Sequence, residues 1–178
     1  MTQEQRLVAR VKEAAYRAGF DAVGICDLRP IERGALDPWL AAGYAGSMGY
    51  MHRQALRRAR PAEIVPGAQR AVVVLKNCYQ HDIAPATPRR ARVARYAWGE
   101  DYHRVVGDQL GDLALALIEL GSTPALTRSY VDAGPVPERE LAQRAGLGWI
   151  AKSTMLIHSA VAPLRRATKP APWSDSSG

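Results

Sequence analysis

An acidic residue followed by glycine and prolines is the feature of this sequence that most suggests chemistry. Asp132 comes after the apolar stretch ALTRSYV and before Ala133, Gly134 and Pro135. A carboxyl group at the end of a strand, in a glycine-lined pocket, can have its pKa raised by desolvation and then act as a general acid near neutral pH. The position also suits the N-cap of a helix beginning near Pro135, and on spacing alone a cap is the commoner arrangement.

A glycine-rich loop follows one short helix after the glycine- and proline-containing stretch at Asp132. The stretch RAGLGWIAK contains Gly146, Gly148 and Lys152. A glycine-rich loop with a lysine can hold a phosphate group, although neither the P-loop spacing nor the order of a dinucleotide fingerprint is present. A helix C-cap followed by a turn also explains Gly146.

Basic and aromatic residues alternate in the stretch RYAWGEDYH, residues 95–103. Its candidates for contact with a partner are Arg95, Trp98, Tyr102 and His103. Such side chains can stack on nucleic-acid bases or flank a flat cofactor. In the alternative interpretation, Trp98 and Tyr102 only anchor the following helix to the core.

The charge balance favours an anionic partner. The 178 residues carry a formal charge of +7, and only four of the 24 basic residues are lysines. Such an excess suits RNA, DNA or a phosphorylated ligand, while a coding bias toward arginine is the alternative. A dense run of arginines is expected to be mostly a solvated helix face, and it comprises Arg53, Arg57, Arg58 and Arg60.

Length and cysteine content limit the class of protein. The length suits one domain with a real core. Cys26 and Cys78 form neither a C-x-x-C nor a zinc pattern, so they are expected to be small buried hydrophobes, with no metal site in this chain. The sequence contains no run of 18 apolar residues and begins with an amphipathic helix pattern rather than a signal peptide, which predicts a cytoplasmic protein without a membrane segment.

Periodicity predicts an alternation of helices and strands. Helices are expected at residues 3–18, ending at Gly19; at 36–43, capped by Asp37; and at 101–120, capped by Asp101 and ending at Gly121. Strands are expected at 20–26, 70–79 and 125–131, and loops at 44–51 and 80–95. The continuous apolarity of 70–79 predicts burial on both faces.

These elements predict an α/β or α+β domain. Asp132 would lie at the carboxyl end of the third strand, where open sheets bind ligands. Gly107 and Gly111 inside the long helix each cost roughly 1 kcal/mol relative to alanine, which suggests close packing against something. The segment 158–178 has no usable period and is expected to be a disordered tail.

Four segments in order resemble the amino-terminal domain of epoxyqueuosine reductases. They are GYAGSMGYM, RRARPAEIVPGAQRAVVV, RYAWGEDYH and VDAGPVPERELAQRAGLGWIAKST. The resemblance covers about residues 5 to 157 and implies a single cobalamin-binding α/β domain at 1–157, related to reductive dehalogenase and nitroreductase-like folds. In that family a part with two [4Fe-4S] clusters follows.

The resemblance implies the last step of queuosine synthesis on tRNA, with the anticodon stem-loop and an electron donor as partners of a monomeric enzyme. Asp132 falls on the family's acid. The cobalamin contacts fall on Arg58, Ala94, Asp132 and Leu156, and the motif positions Arg139 and Lys152 are further candidates. Arginines and aromatic residues around the mouth, among them those of 95–103, would hold the RNA.

The sequence departs from the family in two ways. Ala151 and Ser153 replace a glycine and an asparagine, and a methyl at 151 could distort the cofactor loop if the backbone there needs a positive φ. The family's cysteine runs are absent, since the chain has two cysteines. We therefore expect a truncated copy of doubtful activity; the alternatives are a half whose partner is encoded separately, a non-catalytic cobalamin- or tRNA-binding remnant, and a flavin enzyme of nitroreductase type.

Overall fold

The computed structural model describes residues 1–79, 94, 97, 99–121 and 127–159, and it has a mixed α/β fold. The helices are α1 (Gln3–Arg17), α2 (Leu36–Ala41), α3 (Gly49–Ala59), α4 (Tyr102–Leu120) and α5 (Glu138–Arg144), with a 3-10 turn at Pro61–Glu63. The strands are β1 (Ala22–Asp27), β2 (Arg70–Leu75), β3 (Trp149–Ile150) and β4 (Leu156–Ile157). None of the described helices is long and apolar enough to cross a bilayer.

The first helix follows its sequence signals. Thr2 and Gln5 form a reciprocal capping box, in which the Gln5 N–H donates to Thr2 Oγ1 at 3.2 Å and the Thr2 N–H donates to Gln5 Oε1 at 2.8 Å. The helix ends at Arg17, and Gly19 then takes a φ of 90°. The capping box satisfies backbone N–H groups that the first turn of a helix leaves without partners. The helix predicted at residues 3–18, ending at Gly19, is thus confirmed.

Strands β1 and β2 pair antiparallel, with Ala22 opposite Leu75 and Asp27 opposite Arg70. One face packs on α1 and α4 in a cluster around Phe20, Val23 and Leu113. The other face packs on the α5 region through Ala142 and Leu147. Both faces of β2 thus pack against other elements, but its residues 71–75 are only half-buried and Arg70 is exposed.

The predicted third strand is wrong over its described part. Residues 127–131 have no regular structure, and 125–126 lie outside the described residues. Asp132 therefore follows an irregular segment rather than a sheet strand. The strand propensity of this segment is overridden where no neighbouring described strand offers it a ladder.

The region of α2 and α3 corrects two further predictions. Asp37 is not a cap: it lies in the first turn of α2 and pairs with Arg33, while Ala35 is the N-cap. The predicted loop at 44–51 is helical from Gly49 onward. The two helices bury a small cluster of Leu40, Ala45 and Ala55.

Helix α4 begins as predicted but packs differently. Asp101 accepts the His103 N–H at 3.0 Å and caps the helix. Gly107 and Gly111, however, are exposed, and a methyl group at either would meet none of the described residues within 4 Å. The expected close packing at these glycines is wrong, because α4 buries its opposite face through Leu113.

The backbone of β4 lies close to the glycine-rich loop that contains Gly146 and Gly148. Gly148 has a φ of 147°, and a methyl group there would overlap the Ile157 carbonyl oxygen of β4. Gly146 has a φ of 76° just after the C-cap of α5, which confirms its role in ending that helix. Ala151 does not have a positive φ, so its methyl group does not strain the hairpin turn between β3 and β4.

Candidate active site

Asp132 stands where two cavities of about 760 and 720 Å³ meet. Its side chain lines both, and the residue is exposed. It does not cap a helix, since α5 begins at Glu138 with Pro137 as its N-cap and no side-chain cap bond. Asp132 also has a φ of 48°, in the left-handed region that residues other than glycine seldom adopt. Its carboxyl is thus held in an unusual turn that opens onto a large concave space.

The two cavities have different walls. The first runs along β2, the apolar residues of α4 and the segment before Asp132, including Leu110, Leu113 and Tyr130. The second lies between the α2–α3 region and residues 132–140, and it includes Arg33 and Arg58. Val136, Glu138, Arg139 and Met155 line both cavities together with Asp132. A mainly apolar space therefore meets an arginine-bearing one at the candidate acid.

Tyr102 orients the Asp132 carboxyl. Its hydroxyl donates a hydrogen bond to Asp132 Oδ2 at 2.5 Å. Tyr102 is the first residue of α4. Because Asp101 caps this helix, the backbone position of Tyr102 is fixed. His103 stacks on Tyr102 with ring centroids 4.1 Å apart and contacts Asp101 through Nδ1 at 2.9 Å.

Glu138 is a second carboxyl group beside Asp132, and we did not predict it from the sequence. Its Oε1 accepts the Asp132 main-chain N–H at 3.1 Å. Burial, followed by the charge of the Asp132 carboxylate, raises the pKa of Glu138 to about 7, although the hydrogen bond from the Asp132 N–H and, less strongly, the nearby Arg58 guanidinium oppose the shift. The expected desolvation of Asp132 itself is absent, because that residue is exposed. The spacing of the two acids, six residues apart across a proline turn, does not by itself indicate this contact.

Arg58 reaches the turn from α3. It is half-buried, and its Nη2 donates to the Gly134 carbonyl oxygen at 3.4 Å. Among the described residues, its Nε is buried without a hydrogen-bond partner, and so is the Nε of Arg33 in the same cavity. Buried N–H groups without acceptors are costly, so these two positions are suited to a polar or anionic ligand group. Exposed Arg53, Arg57 and Arg60 form the solvated part of the arginine run, as predicted.

The other predicted site residues are only partly brought together. Arg139 lines both cavities, and its Nη1 donates to the Thr154 carbonyl oxygen at 2.5 Å; Leu156 lines the first cavity from β4. Lys152 and Ala94 are exposed and line neither of these cavities. Arg95 and Trp98 lie outside the described residues.

Comparison with known proteins supports one family. Residues 58–133 match the family described as "Epoxyqueuosine reductase QueG, DUF1730". The chain is 40% identical over 158 residues to the epoxyqueuosine reductase of Vibrio cholerae, covering 86% of this chain and 42% of that protein. It is 40% identical over 159 residues to that of Pseudomonas aeruginosa, covering 86% and 44%.

Solved structures show the same similarity. An epoxyqueuosine reductase in complex with an epoxyqueuosine-modified tRNA-Tyr stem-loop is 27% identical, with a TM-score of 0.67 over 85% of this chain and 41% of that chain. One from Bacillus subtilis, with the loop of its catalytic aspartate swung out of the active site, is 26% identical with a TM-score of 0.69 over 85% and 41%. The resemblance predicted from the sequence is confirmed, and the chain spans less than half the length of the relatives it matches.

Proposed function

We propose, from the premise that this chain is homologous to the epoxyqueuosine reductases, that it acts in the reduction of epoxyqueuosine to queuosine in tRNA with Asp132 as the proton donor. The observation that carries the proposal is the placement of Asp132, exposed at the junction of two cavities and bonded to Tyr102. The family match over residues 58–133 includes this position.

The reaction requires an acid. Converting an epoxide to an alkene consumes two electrons and two protons and releases the oxygen as water. Breaking the C–O bond without a proton would leave an alkoxide, which is a poor product at neutral pH, so a carboxylic acid within reach lowers the barrier. Asp132 is aimed at the space where a substrate would enter, and Tyr102 fixes its orientation.

The residues around Asp132 fit a large cofactor with polar side groups, and we propose cobalamin. Leu156, Arg139, Asp132 and Arg58 would hold it, because they line the two joined cavities and the Arg58 Nε has no acceptor among the described residues. Cobalamin, when bound, supplies reducing electrons to the substrate carbon. Ala94 and Lys152 contribute less to the proposal because they lie outside these cavities.

Electrons must enter from outside this chain. The sequence has two cysteines, whereas one [4Fe-4S] cluster takes four cysteine ligands. We propose that the electron donor is the kind of cluster-bearing part that the family resemblance implies.

The proposed RNA partner is a tRNA anticodon stem-loop. A relative has been solved with such a stem-loop, and the formal charge of +7 suits a phosphate backbone. Tyr102 and His103 stack on one another beside Asp132 and offer aromatic faces near the reacting base. We also propose that the loop of Asp132 can occupy positions inside and outside the site, as in the relative whose catalytic loop is swung out.

Titration with cob(II)alamin tests the cofactor part. The wild-type protein is expected to shift the cofactor's visible and EPR spectra, R58A is expected to weaken binding at least tenfold, and R53A is the matched control. Arg53 is on the same helix but exposed, so its removal should leave binding unchanged. An unchanged cofactor spectrum at high protein concentration would reject cobalamin binding.

A binding role without catalysis is the second candidate, and the count of two cysteines favours it. The variant D132N separates the two functions. In a reconstituted enzyme that includes an electron donor, the catalytic proposal expects D132N to abolish turnover of epoxyqueuosine-containing stem-loop RNA while keeping cobalamin binding. Cofactor and RNA binding by the wild-type chain, without turnover under any reducing condition, would favour the carrier.

A further inference from the structure

The turn at Asp132 needs to be held in place. A left-handed φ of 48° is unfavourable for a residue with a side chain, so the surrounding contacts must fix it. Hydrogen bonds to described residues join Asp132 to two neighbours: the Tyr102 hydroxyl donates to its Oδ2 at 2.5 Å, and its main-chain N–H donates to Glu138 Oε1 at 3.1 Å. A third, from Arg58 to the Gly134 carbonyl oxygen, is longer at 3.4 Å.

Of these contacts, only the bond to Glu138 fixes the main chain at Asp132. The Tyr102 bond ends on the Asp132 side chain, and a carboxyl group can rotate without moving the backbone. The bond to Glu138 instead engages the N–H of the left-handed residue itself. It therefore acts on the conformation that determines where the side chain points.

Glu138 is placed to act as an anchor. It is the first residue of α5, whose Leu141 and Ala142 are 4% and 3% exposed and pack into the core. Asp132, Ala133 and Gly134 are exposed by comparison. The bond thus ties an exposed turn to a helix that the core holds.

We propose that Glu138 is the positioning residue for Asp132: by accepting the Asp132 main-chain N–H, it holds the turn in which the Asp132 carboxyl faces the two cavities. The catalytic meaning of this role rests on the proposed function. The structural role does not, and it can be tested on the isolated chain.

Amide hydrogen exchange at Asp132, followed by NMR at pH 5.5, measures the bond directly. Glu138 is mainly protonated and neutral at this pH, so E138Q keeps both its charge and a carbonyl acceptor. Glu138→Met keeps the length of the side chain but has no good acceptor. We expect the protection factor of the Asp132 amide to be within twofold of wild type in E138Q and at least about fivefold lower in E138M, as for loss of one hydrogen bond.

The control is Glu140, an exposed acid in the same first turn of α5, so E140M should leave the Asp132 amide unchanged. Core amides of α1 and β1 in the same spectra show whether each variant is folded, and E138A replaces E138M if the methionine does not pack. Equal protection in E138M, E138A and wild type would overturn the proposal, and so would an E138Q amide as unprotected as that of E138M.

Turnover distinguishes this proposal from the proposed function. In a reconstituted enzyme, E138M should lower kcat and E138Q should restore most of it, whereas D132N should abolish it. If the exchange results hold but no variant affects turnover, the positioning contact is established and the catalytic assignment of Asp132 fails. If D132N is inactive but exchange is the same in all Glu138 variants, Asp132 is the acid and Glu138 does not position it.

Discussion

At the scale of single residues, the site is a pair of carboxyl groups in different surroundings. Asp132 is exposed and accepts the Tyr102 hydroxyl, while Glu138 is half-buried behind it and accepts the Asp132 N–H. Burial and the neighbouring negative charge both disfavour ionisation of Glu138. Glu138 therefore keeps its proton to a higher pH than an exposed glutamate would.

The raised pKa of Glu138 predicts how stability depends on pH. The carboxyl binds its proton more tightly in the folded state, at a pKa of about 7 against an ordinary value of 4.5. Its contribution to the free energy of unfolding is therefore fully present below about pH 4.5 and is lost as pH rises through 7. We expect E138Q to remove this decline.

Urea denaturation at pH 5 and pH 8 provides the check. Between pH 5 and pH 8 the unfolding free energy of wild type should fall more than that of E138Q. E138Q should therefore gain stability relative to wild type at pH 8. The exposed Glu140 gives the control, E140Q, which should keep the wild-type pH dependence. If the difference in unfolding free energy between wild type and E138Q does not vary with pH, the raised pKa of Glu138 is contradicted.

The phenol of Tyr102 gives a second prediction at this scale. Y102F removes the hydrogen bond to Asp132 and leaves the ring in place. We expect turnover in the reconstituted enzyme to fall at least about tenfold, in line with the usual contribution of an oriented acid. Cobalamin binding should be retained. Tyr16→Phe, at an exposed position of α1, is the control, and equal loss in both variants would show that the effect is not local.

At the scale of elements, the backbone around the site depends on one close approach. Gly148 lets the start of β3 lie against the Ile157 carbonyl of β4, and this hairpin carries Leu156 and Met155 toward the cavities. Arg139 also donates a hydrogen bond to the Thr154 carbonyl oxygen in the turn of this hairpin. The position of one wall of the site thus depends on a residue without a side chain.

Two glycine-to-alanine changes should therefore have opposite effects. G148A places a methyl group on a carbonyl oxygen at a positive φ and should lower the free energy of unfolding by about 2 kcal/mol or more. G111A lies inside helix α4, where the added methyl group meets no atom of the described part of the chain within 4 Å, and should raise this free energy by about 0.5–1 kcal/mol. Chemical denaturation measures both. Destabilisation by G111A would mean that the exposed side of α4 is covered in solution.

At the scale of the whole molecule, the charge of +7 governs how an RNA partner would be found. Each phosphate neutralised by the protein releases counterions, so the affinity falls as salt rises. We expect the association constant for an anticodon stem-loop RNA, measured by fluorescence anisotropy, to fall at least about tenfold between 50 and 200 mM salt. An affinity that does not depend on salt would contradict an electrostatic RNA interface.

The exposed arginines of α3 offer a variant for the same measurement. R57A removes one exposed cation that does not line either cavity. If this face contacts phosphate, the slope of log K against log salt should become less negative by about 0.7–0.9. E63Q, which removes an exposed acid close in sequence, should not reduce the slope.

The sequence by itself determined the features that depend on local chemistry and on ordered motifs. The capping box at Thr2, the cap at Asp101 and the helix end at Gly146 were predictable because each is satisfied within a few residues of the backbone. The four ordered motifs also predicted the resemblance to epoxyqueuosine reductases, which the comparisons confirm. The assignment of Asp132 as the acid remains a prediction.

The tertiary structure alone decided what depends on neighbours distant in sequence. Gly107 and Gly111 proved exposed and 127–131 irregular, because packing partners and ladder strands are chosen by the whole fold. The role of Glu138 could not be predicted either. Its burial comes from the core contacts of α5, its charge environment from Asp132 and Arg58, and neither is encoded by the spacing of these residues along the chain.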